Sequence, residues 1–174
     1  GDNAGAEDAY RKAASLDPSP GLTARIASTA ERAREARLPA EFRASLQASQ
    51  LSRGELGALI GVCLESLLQR ATTQQVVMTD TRGHWAAPWI SATASAGVIE
   101  PFENHTFQPR TQVRRGDLAT VVNRLIALIA PSSPSLRERL SQRPTIADVP
   151  PRHLQYEAVM SAVAAGVMPL VDGD

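Results

Sequence analysis

One pattern of apolar residues occurs twice in this chain and constrains its fold more than any other feature. In both copies the residues recur at the three- and four-residue spacing of one face of an α-helix. The first stripe consists of Leu56, Leu59, Ile60, Cys63, Leu64, Leu67 and Leu68. The second consists of Leu118, Val121, Val122, Leu125, Ile126 and Ile129. The two stripes predict long helices over about 53–71 and 115–130.

The beginning of the first long helix and its cysteine support more specific predictions. Ser52 is a favourable N-cap residue, and Glu55 three positions later completes a capping box. Cys63 stands where the second stripe has Leu125, so we expect it to be a small buried hydrophobic residue rather than a redox group. A single cysteine also excludes an intramolecular disulfide framework and a cysteine-based zinc cluster.

A second repeated unit, found at 80–99 and again at 148–168, alternates with the first. In both copies a histidine precedes a short apolar helix pattern, and a glycine suited to a left-handed turn follows it. These units predict shorter helices over about 84–96 and 153–165, and the recurring histidine indicates a structural hydrogen bond at each helix start. The equivalent pairs are His84 and His153, Trp85 and Leu154, Ile90 and Val159, and Gly97 and Gly166.

The rest of the chain gives weaker patterns. Helical patterns over about 5–17 and 22–37 precede the repeats, and the second alternates arginine and glutamate with alanine, as a solvated helix surface does. These helices either extend the bundle or form a small separate hairpin. The segment 131–144 is rich in serine and proline, and we expect it to be a surface connection.

Charge and hydropathy exclude two classes of partner. The 18 basic and 18 acidic residues cancel, so no net field attracts the chain to nucleic acid or to an anionic bilayer. The longest uncharged apolar run, 158–171, is shorter than the roughly 20 residues of a membrane-spanning helix. Because the chain starts in polar sequence without a targeting signal and stops inside a repeat, we expect it to be a fragment of a longer protein.

From residue 80 the motifs follow a fixed order. It reads Asp-x3-His-Trp-Ala, a helix, Gly-Val-Ile, a loop ending in Phe-x-Pro, Val-Arg-Arg-Gly-Asp-Leu and a second helix. This order resembles the S-layer homology (SLH) module. By this resemblance residues 38–174 form one domain, with a partial copy at 38–72, a complete copy at 77–130 and a truncated copy at 145–174.

The segment 1–37 has a weaker resemblance of its own. Ala6, Tyr10, Ala13 and Pro18 keep the spacing of the second helix of a tetratricopeptide repeat. The resemblance implies an N-terminal helical segment that is distinct from the SLH-like domain and through which another protein could bind.

The SLH resemblance implies both a fold and a function. The implied fold is all-α: a helical bundle of SLH-like helix-loop-helix repeats, packed around a pseudo-threefold axis and preceded by a short helical hairpin. The implied function is non-catalytic anchoring to cell-wall polysaccharide or to a peptidoglycan-associated polymer. The implied location is the extracytoplasmic bacterial envelope, whether periplasmic, associated with the outer membrane or at the cell surface.

Five residues are candidates for binding a glycan. Arg53 and Arg115 occupy the signature position at the start of the second helix of a module, where the helix dipole also favours an anion. Arg114 adds a second cation in place of the usual threonine cap. Trp85 offers a ring face for stacking on a sugar, and His105 lies in the loop.

Each candidate also has a structural interpretation. Arg115 could pair with an acidic residue of a neighbouring repeat and hold the bundle together. Trp85 and Trp89, four residues apart on one helix face, are more typical of core packing than of sugar stacking. His105 could be an ordinary exposed loop histidine.

The sequence contains no nucleophile elbow, phosphate loop or dinucleotide fingerprint, so we predict no enzyme activity, no cofactor and no metal site. Two alternatives to glycan anchoring stay open. One is a helical protein-interaction scaffold that keeps the SLH-like repeat as architecture only. The other is an accessory domain of an enzyme whose chemistry lies outside this chain.

Overall fold

The computed structural model describes residues 3–16, 21, 24–29 and 38–170. The described residues form helices and loops without a β-strand, apart from one isolated antiparallel bridge between Ser52 and Gln112. The all-α prediction is therefore confirmed. The chain divides into two compact units, Gly1–Gln47 and Ala48–Asp174, and each is described by itself.

The first unit contains α1, Asn3–Leu16, a helical stretch at 24–29 and the short helix α2, Ala40–Ser45. The predicted helix at 5–17 agrees with α1 to within two residues. Of the predicted helix at 22–37, only 24–29 lies within the described residues. Pro18, which the tetratricopeptide resemblance uses, lies outside them, and the domain boundary at residue 37 stays a prediction.

The second unit contains the repeats. Its α-helices are α3 (Arg53–Cys63), α4 (Glu65–Arg70), α5 (Ala87–Ser95), α6 (Arg115–Ile129), α7 (Pro134–Ser141) and α8 (Tyr156–Ala164). A single 3-10 turn, Ala130–Ser132, follows α6. The predicted short helices begin about three residues later than expected, at Ala87 and Tyr156, and the predicted helix at 115–130 agrees with α6.

Two helix pairs build this unit: α3 packs on α5, and α6 packs on α8. Glycines on α3 allow the first pair to approach closely. A Cβ placed on Gly57 would lie 3.5 Å from Ile90, and one on Gly61 would lie only 2.6 Å from Trp89. In the second pair Ala119 and Val159 occupy the positions of Gly57 and Ile90, and both are buried.

The predicted helix at 53–71 is interrupted, and the expectation that Cys63 is buried is wrong. Leu64 has φ −117° and ψ 26°, which separates α3 from α4. Cys63 is exposed. At about 100° per residue it lies nearly opposite Gly61, the residue against which α5 packs, so its side of the helix faces solvent.

The segment 131–144 is not a plain connection, because it contains α7. The Ser133 hydroxyl accepts a hydrogen bond from the backbone N–H of Leu136, and Pro134 occupies the first turn, where its missing N–H costs little. Leu136 and Leu140 pack against the buried cluster that α6 and α8 share. Serine and proline mark the start of this helix, and the two leucines give it an apolar face.

Candidate functional site

The backbone N–H groups in the first turn of α3 are hydrogen-bonded to other groups of the chain. The predicted capping box is confirmed: the Ser52 N–H donates to Oε2 of Glu55 (2.7 Å), and the Glu55 N–H donates to the Ser52 hydroxyl (3.3 Å). The N–H groups of Arg53 and Gly54 donate to the carbonyls of Thr111 and Pro109, each at 2.8 Å. The amide groups that we expected to attract an anion at this helix end are thus already occupied.

The side chain of Arg53 is held in the same loop. Its Nε donates to the carbonyl of Phe107 and its Nη2 to the carbonyl of Glu100, both at 2.8 Å. The guanidinium carbon lies 4.6 Å from the ring centre of Phe102 and 4.9 Å from that of Phe107. Burial lowers the pKa of Arg53, while the carboxylate of Asp117 acts in the opposite direction. Arg53 therefore fastens the loop of the complete copy onto α3.

Arg115 makes the corresponding contact one repeat later. Its Nη1 forms an ion pair with Oδ2 of Asp148 at 2.6 Å, and its Nη2 donates to the carbonyl of Pro169 at 3.2 Å. Pro169 follows Gly166 at the distance at which Glu100 follows Gly97, so both arginines bind equivalent carbonyls. The pairing of Arg115 with an acidic residue, one of the two interpretations above, is the one observed.

The other three predicted residues lie apart from this contact. Arg114 is exposed, and its N–H donates to Oδ2 of Asp117 at 3.2 Å. Trp85 is half-buried, stacked on His84 with ring centres 5.8 Å apart and edge-on to Trp89 at 6.1 Å. His105 is exposed, with φ +58°, and its carbonyl accepts the N–H of Thr79.

The two repeated histidines have the predicted structural role. Nδ1 of His84 accepts the backbone N–H of Ala86, and Nδ1 of His153 accepts that of Gln155, both at 3.2 Å. Because a protonated imidazole has no acceptor nitrogen, this bond requires the neutral form. Burial lowers the pKa of His84 and the charge of Arg110 adds to the effect, while Glu55 and Asp80 oppose it.

An open groove of about 550 Å³ lies beside His84. Two arginines in its wall, Arg82 and Arg110, are exposed and have no ion-pair partner among the described residues. The carboxylate of Asp80 is already occupied, because it accepts the N–H groups of Phe107 and Gln108 at 2.7 Å each. We call this the arginine groove; its lining is Asp80, Arg82, Gly83, His84, Gln108, Pro109, Arg110 and Thr111.

The sequence prediction missed both arginines of this groove. Arg82 lies between the Asp and His of the Asp-x3-His motif, and Arg110 follows the proline of Phe-x-Pro. Their position inside two repeat-defining motifs was a usable signal. Only the fold shows that these motifs meet, through the bonds from Asp80 to the loop.

A second groove, of about 470 Å³, is lined by residues of all three copies. It contains Arg53 from the partial copy, α6 residues from the complete copy and the start of α8 from the truncated copy. We call it the junction groove; its lining is Arg53, Ile99, Glu100, Asp117, Thr120, Val121, Asn123, Arg124, Leu154, Gln155, Glu157 and Ala158. Of the five predicted residues it holds Arg53, while His105 lines a separate groove with residues 74–77.

In the part of the chain that the structure describes, no group of three or more histidine, cysteine, aspartate or glutamate side chains is placed to hold a metal ion. No helix in that part has the length and apolar character needed to cross a membrane.

Part of this chain is similar in sequence to known proteins. The family model of the S-layer homology domain matches residues 77–119. A cellulosome-anchoring protein of Acetivibrio thermocellus is 26% identical over 76 residues, which is 42% of this chain and 17% of that protein. This chain therefore spans a small part of its curated relative. No solved structure is significantly similar to it.

The matched segment contains the Asp-x3-His motif, α5, the Phe-x-Pro loop and the first turn of α6, so it includes every residue of the arginine groove. Residues 77–119 of this chain are thus similar to the S-layer homology domain.

Proposed function

We propose that this module anchors its protein to the bacterial envelope by binding an anionic cell-wall polysaccharide or peptidoglycan-associated polymer in the arginine groove. One observation carries the proposal: Arg82 and Arg110, both inside the family-matched segment, line an open groove without an ion-pair partner among the described residues. A planar guanidinium can bind a carboxylate or a phosphate through two parallel hydrogen bonds.

The remaining lining of the groove suits a polymer ligand. Gly83 has φ +78° and no atom within 4 Å of the position of a Cβ, so a ligand can approach the backbone there. Because Nδ1 of His84 is an acceptor, its Nε2 carries the proton of the neutral ring and can donate to a ligand oxygen. Exposed ion pairs contribute only about 0.2–1 kcal/mol each, so useful affinity requires repeated charges along the polymer.

The predicted arginines and aromatics have different parts in this proposal. Arg53 and Arg115 fix the position of each following repeat through the carbonyls of Glu100 and Pro169. Trp85 supports the groove by stacking on His84. Arg114 adds positive charge at the surface, and His105 is a contact for parts of the polymer that extend beyond the arginine groove.

Titration of the chain with purified wall polymer tests the proposal. In Arg82→Glu/Arg110→Glu we expect affinity to fall at least about tenfold, which corresponds to about 1.4 kcal/mol. Added salt should weaken binding by the unsubstituted chain. The control is Arg25→Glu/Arg43→Glu, which makes the same charge change at exposed residues of the first unit. Equal affinity in the two variants would contradict the proposal.

A protein-interaction scaffold is the second candidate function. It is favoured by the use of Arg53 and Arg115 for contacts within the chain. It predicts no binding to the polymer and reproducible capture of one partner, which the segment 1–37 alone should also capture. If the purified polymer binds and Arg82→Glu/Arg110→Glu abolishes the binding, the scaffold function is not needed.

A further inference from the structure

The long helix α6 lies across the end of the short helix α5. Nη1 of Arg124 on α6 donates to the carbonyl of Val98 at 3.5 Å, and Nη2 of Arg124 forms an ion pair with Glu100. Val98, which follows α5, is only 1% exposed, and Val121 on α6 is buried. We call this arrangement the α5–α6 contact.

The equivalent end of α8 is exposed. Val167 stands in the position of Val98, and it is 58% exposed. Pro169, in the position of Glu100, is exposed as well. The backbone has the same course at both helix ends, because the glycine before each valine has a positive φ, of 70° after α5 and 77° after α8. The exposure of Val167 therefore reflects what packs on the helix end and not a different local fold.

Helix α3 carries an open face that matches this end. In the register of the two apolar stripes, Leu59 and Cys63 on α3 stand where α6 has Val121 and Leu125. Val121 is 6% exposed, whereas Leu59 is half-buried and Cys63 is exposed. The face with which α6 covers the end of α5 is thus present on α3 and accessible to solvent there.

The polarity of the two open faces is also matched. The α5–α6 contact contains the ion pair between Arg124 and Glu100. The equivalent residues are Val62 on α3 and Pro169 after α8, so both members of the pair are apolar in the open faces. A charge on only one side would be desolvated against an apolar surface, at a cost in free energy. Exposed apolar surface at the ends of a repeat array favours association, since polar end faces keep such arrays apart.

We propose that α3 of a second copy of this chain covers the exposed end of α8, in the way that α6 covers the end of α5. Such a head-to-tail contact joins two copies reciprocally in a closed dimer or continues into an open chain. The two faces share no residue with the arginine groove. The proposal therefore does not depend on polymer binding, and a failed polymer titration leaves it standing.

Analytical ultracentrifugation of the full chain, from micromolar to millimolar concentration, tests the proposal. We expect the mass to rise above that of the monomer, and Val167→Glu to weaken the association at least about tenfold. The control is Val77→Glu, which changes a valine that is 62% exposed and lies outside both faces. Equal effects of the two variants would overturn the proposal. A chain that stays monomeric at every concentration would also overturn it, whether the end of α8 is exposed or covered by the same chain.

A mixing experiment tests which two faces meet. Val62→Arg and Pro169→Glu each introduce one member of the charged pair, and both should fold because Arg124 and Glu100 occupy the equivalent positions. Each variant alone should associate less than the unsubstituted chain. In a mixture of the two, the introduced charges meet in one contact and the original apolar residues meet in the other, so association should recover. No recovery on mixing would overturn the assignment of the faces.

The thiol of Cys63 gives a second measurement that needs no substitution in the contact. Cys63 is exposed in the single chain and lies in the α3 face. Because association covers this face, its reaction with a maleimide should slow as the concentration of the unsubstituted chain rises. In Val167→Glu the rate should stay constant over the same range. A constant rate in the unsubstituted chain while its mass increases would show that the copies meet elsewhere, and would overturn the proposal.

Discussion

The pairs α3·α5 and α6·α8 use one packing scheme with opposite choices of residue size. In the first, the long helix has glycines at positions 54, 57 and 61, and the short helix contributes the large Ile90 and Trp89. In the second, Ala119 and Asn123 replace two of the glycines, and the smaller Val159 and Ala158 face them. In the second pair the residues of α6 are larger than glycine, but Ala158 is much smaller than Trp89. The space beside Ala158 and Asn123 is therefore not filled, and it forms part of the junction groove.

The two long helices also differ at their first turn. The loop that ends in Phe-x-Pro supplies carbonyls to the amides of Arg53 and Gly54 at the start of α3. The side chains of Arg53 and Arg115 donate to the equivalent carbonyls of Glu100 and Pro169. Arg115 also forms an ion pair with Asp148, whereas Arg53 also bonds the carbonyl of Phe107 and lies over two aromatic rings.

The largest effect is expected from adding bulk at Gly61. In Gly61→Val the new side chain would meet the Cβ and Cδ1 of Trp89, each 2.6 Å from the first added atom. We expect the free energy of unfolding to fall by about 3 kcal/mol, as in other overpacked interfaces. The matched change Asn123→Val, at an exposed residue, should cost only about 0.5 kcal/mol. Chemical denaturation measures both free energies of unfolding, and equal losses would show that Gly61 is no more closely packed than Asn123.

The next effect concerns the two arginines. Arg53→Ala leaves two loop carbonyls without their donor and removes contacts with two rings, so we expect a loss of about 2 kcal/mol. Arg115→Ala should cost about 1 kcal/mol or less, because the side chains of Arg115 and Asp148 are 36% and 32% exposed. Thermal or chemical unfolding measures both losses. A larger decrease in the free energy of unfolding for Arg115→Ala than for Arg53→Ala would contradict this prediction.

A smaller contrast is expected between Gly54 and Gly116. A Cβ at Gly54 would lie 3.0 Å from the carbonyl oxygen of Pro109 and 2.9 Å from the ring of His84, whereas one at Gly116 would meet the flexible end of Gln155. We expect Gly54→Ala to destabilise the chain by about 1 kcal/mol. Gly116→Ala should be neutral or stabilising, since alanine favours a helix by up to about 1 kcal/mol. Melting temperatures that change equally would contradict the assigned contacts.

The smallest effect is a pH dependence from His84. The pKa of His84 is lowered in the folded chain, so folding favours the neutral imidazole. The contribution of His84 to stability is therefore present above the unfolded pKa of about 6.5, and it is lost as the pH falls through the folded pKa. We expect the melting temperature to decrease from about pH 7 to about pH 5. In His84→Asn, whose amide keeps an acceptor that does not titrate, the decrease should be smaller. If the melting temperature of His84→Asn decreases with pH as much as that of the unsubstituted chain, His84 is not the cause of the pH dependence.

The helical repeats could be predicted from the sequence because their signals are local. The stripe from Leu118 to Ile129, the Ser52–Glu55 capping box and the recurring histidines all depend on spacing within one helix, and the structure confirms them. The prediction that Cys63 is buried is wrong because α3 packs through its glycines together with Leu56 and Ile60, and Cys63 lies on the opposite side of the helix from Gly61.

The candidate sites depend on contacts between distant segments, which spacing alone does not reveal. Arg82 and Arg110 meet because Asp80 binds the loop at Phe107 and Gln108. The junction groove needs the start of α8 to lie against α6, and its opening follows from Ala158 standing in the position of Trp89. The sequence shows that Ala158 occupies the position of Trp89. It does not show that this difference opens a groove, because that depends on which helices pack together.

Co-sedimentation with bacterial sacculi tests whether the arginine groove binds the wall polymer. The chain and its Arg82→Glu/Arg110→Glu variant are each mixed with intact sacculi and with sacculi stripped of attached polymer, and the pelleted fraction is measured. We expect that only the unsubstituted chain pellets, and only with intact sacculi. Pelleting by the folded variant to the same extent as the unsubstituted chain, or failure of both to pellet with intact sacculi, would contradict it.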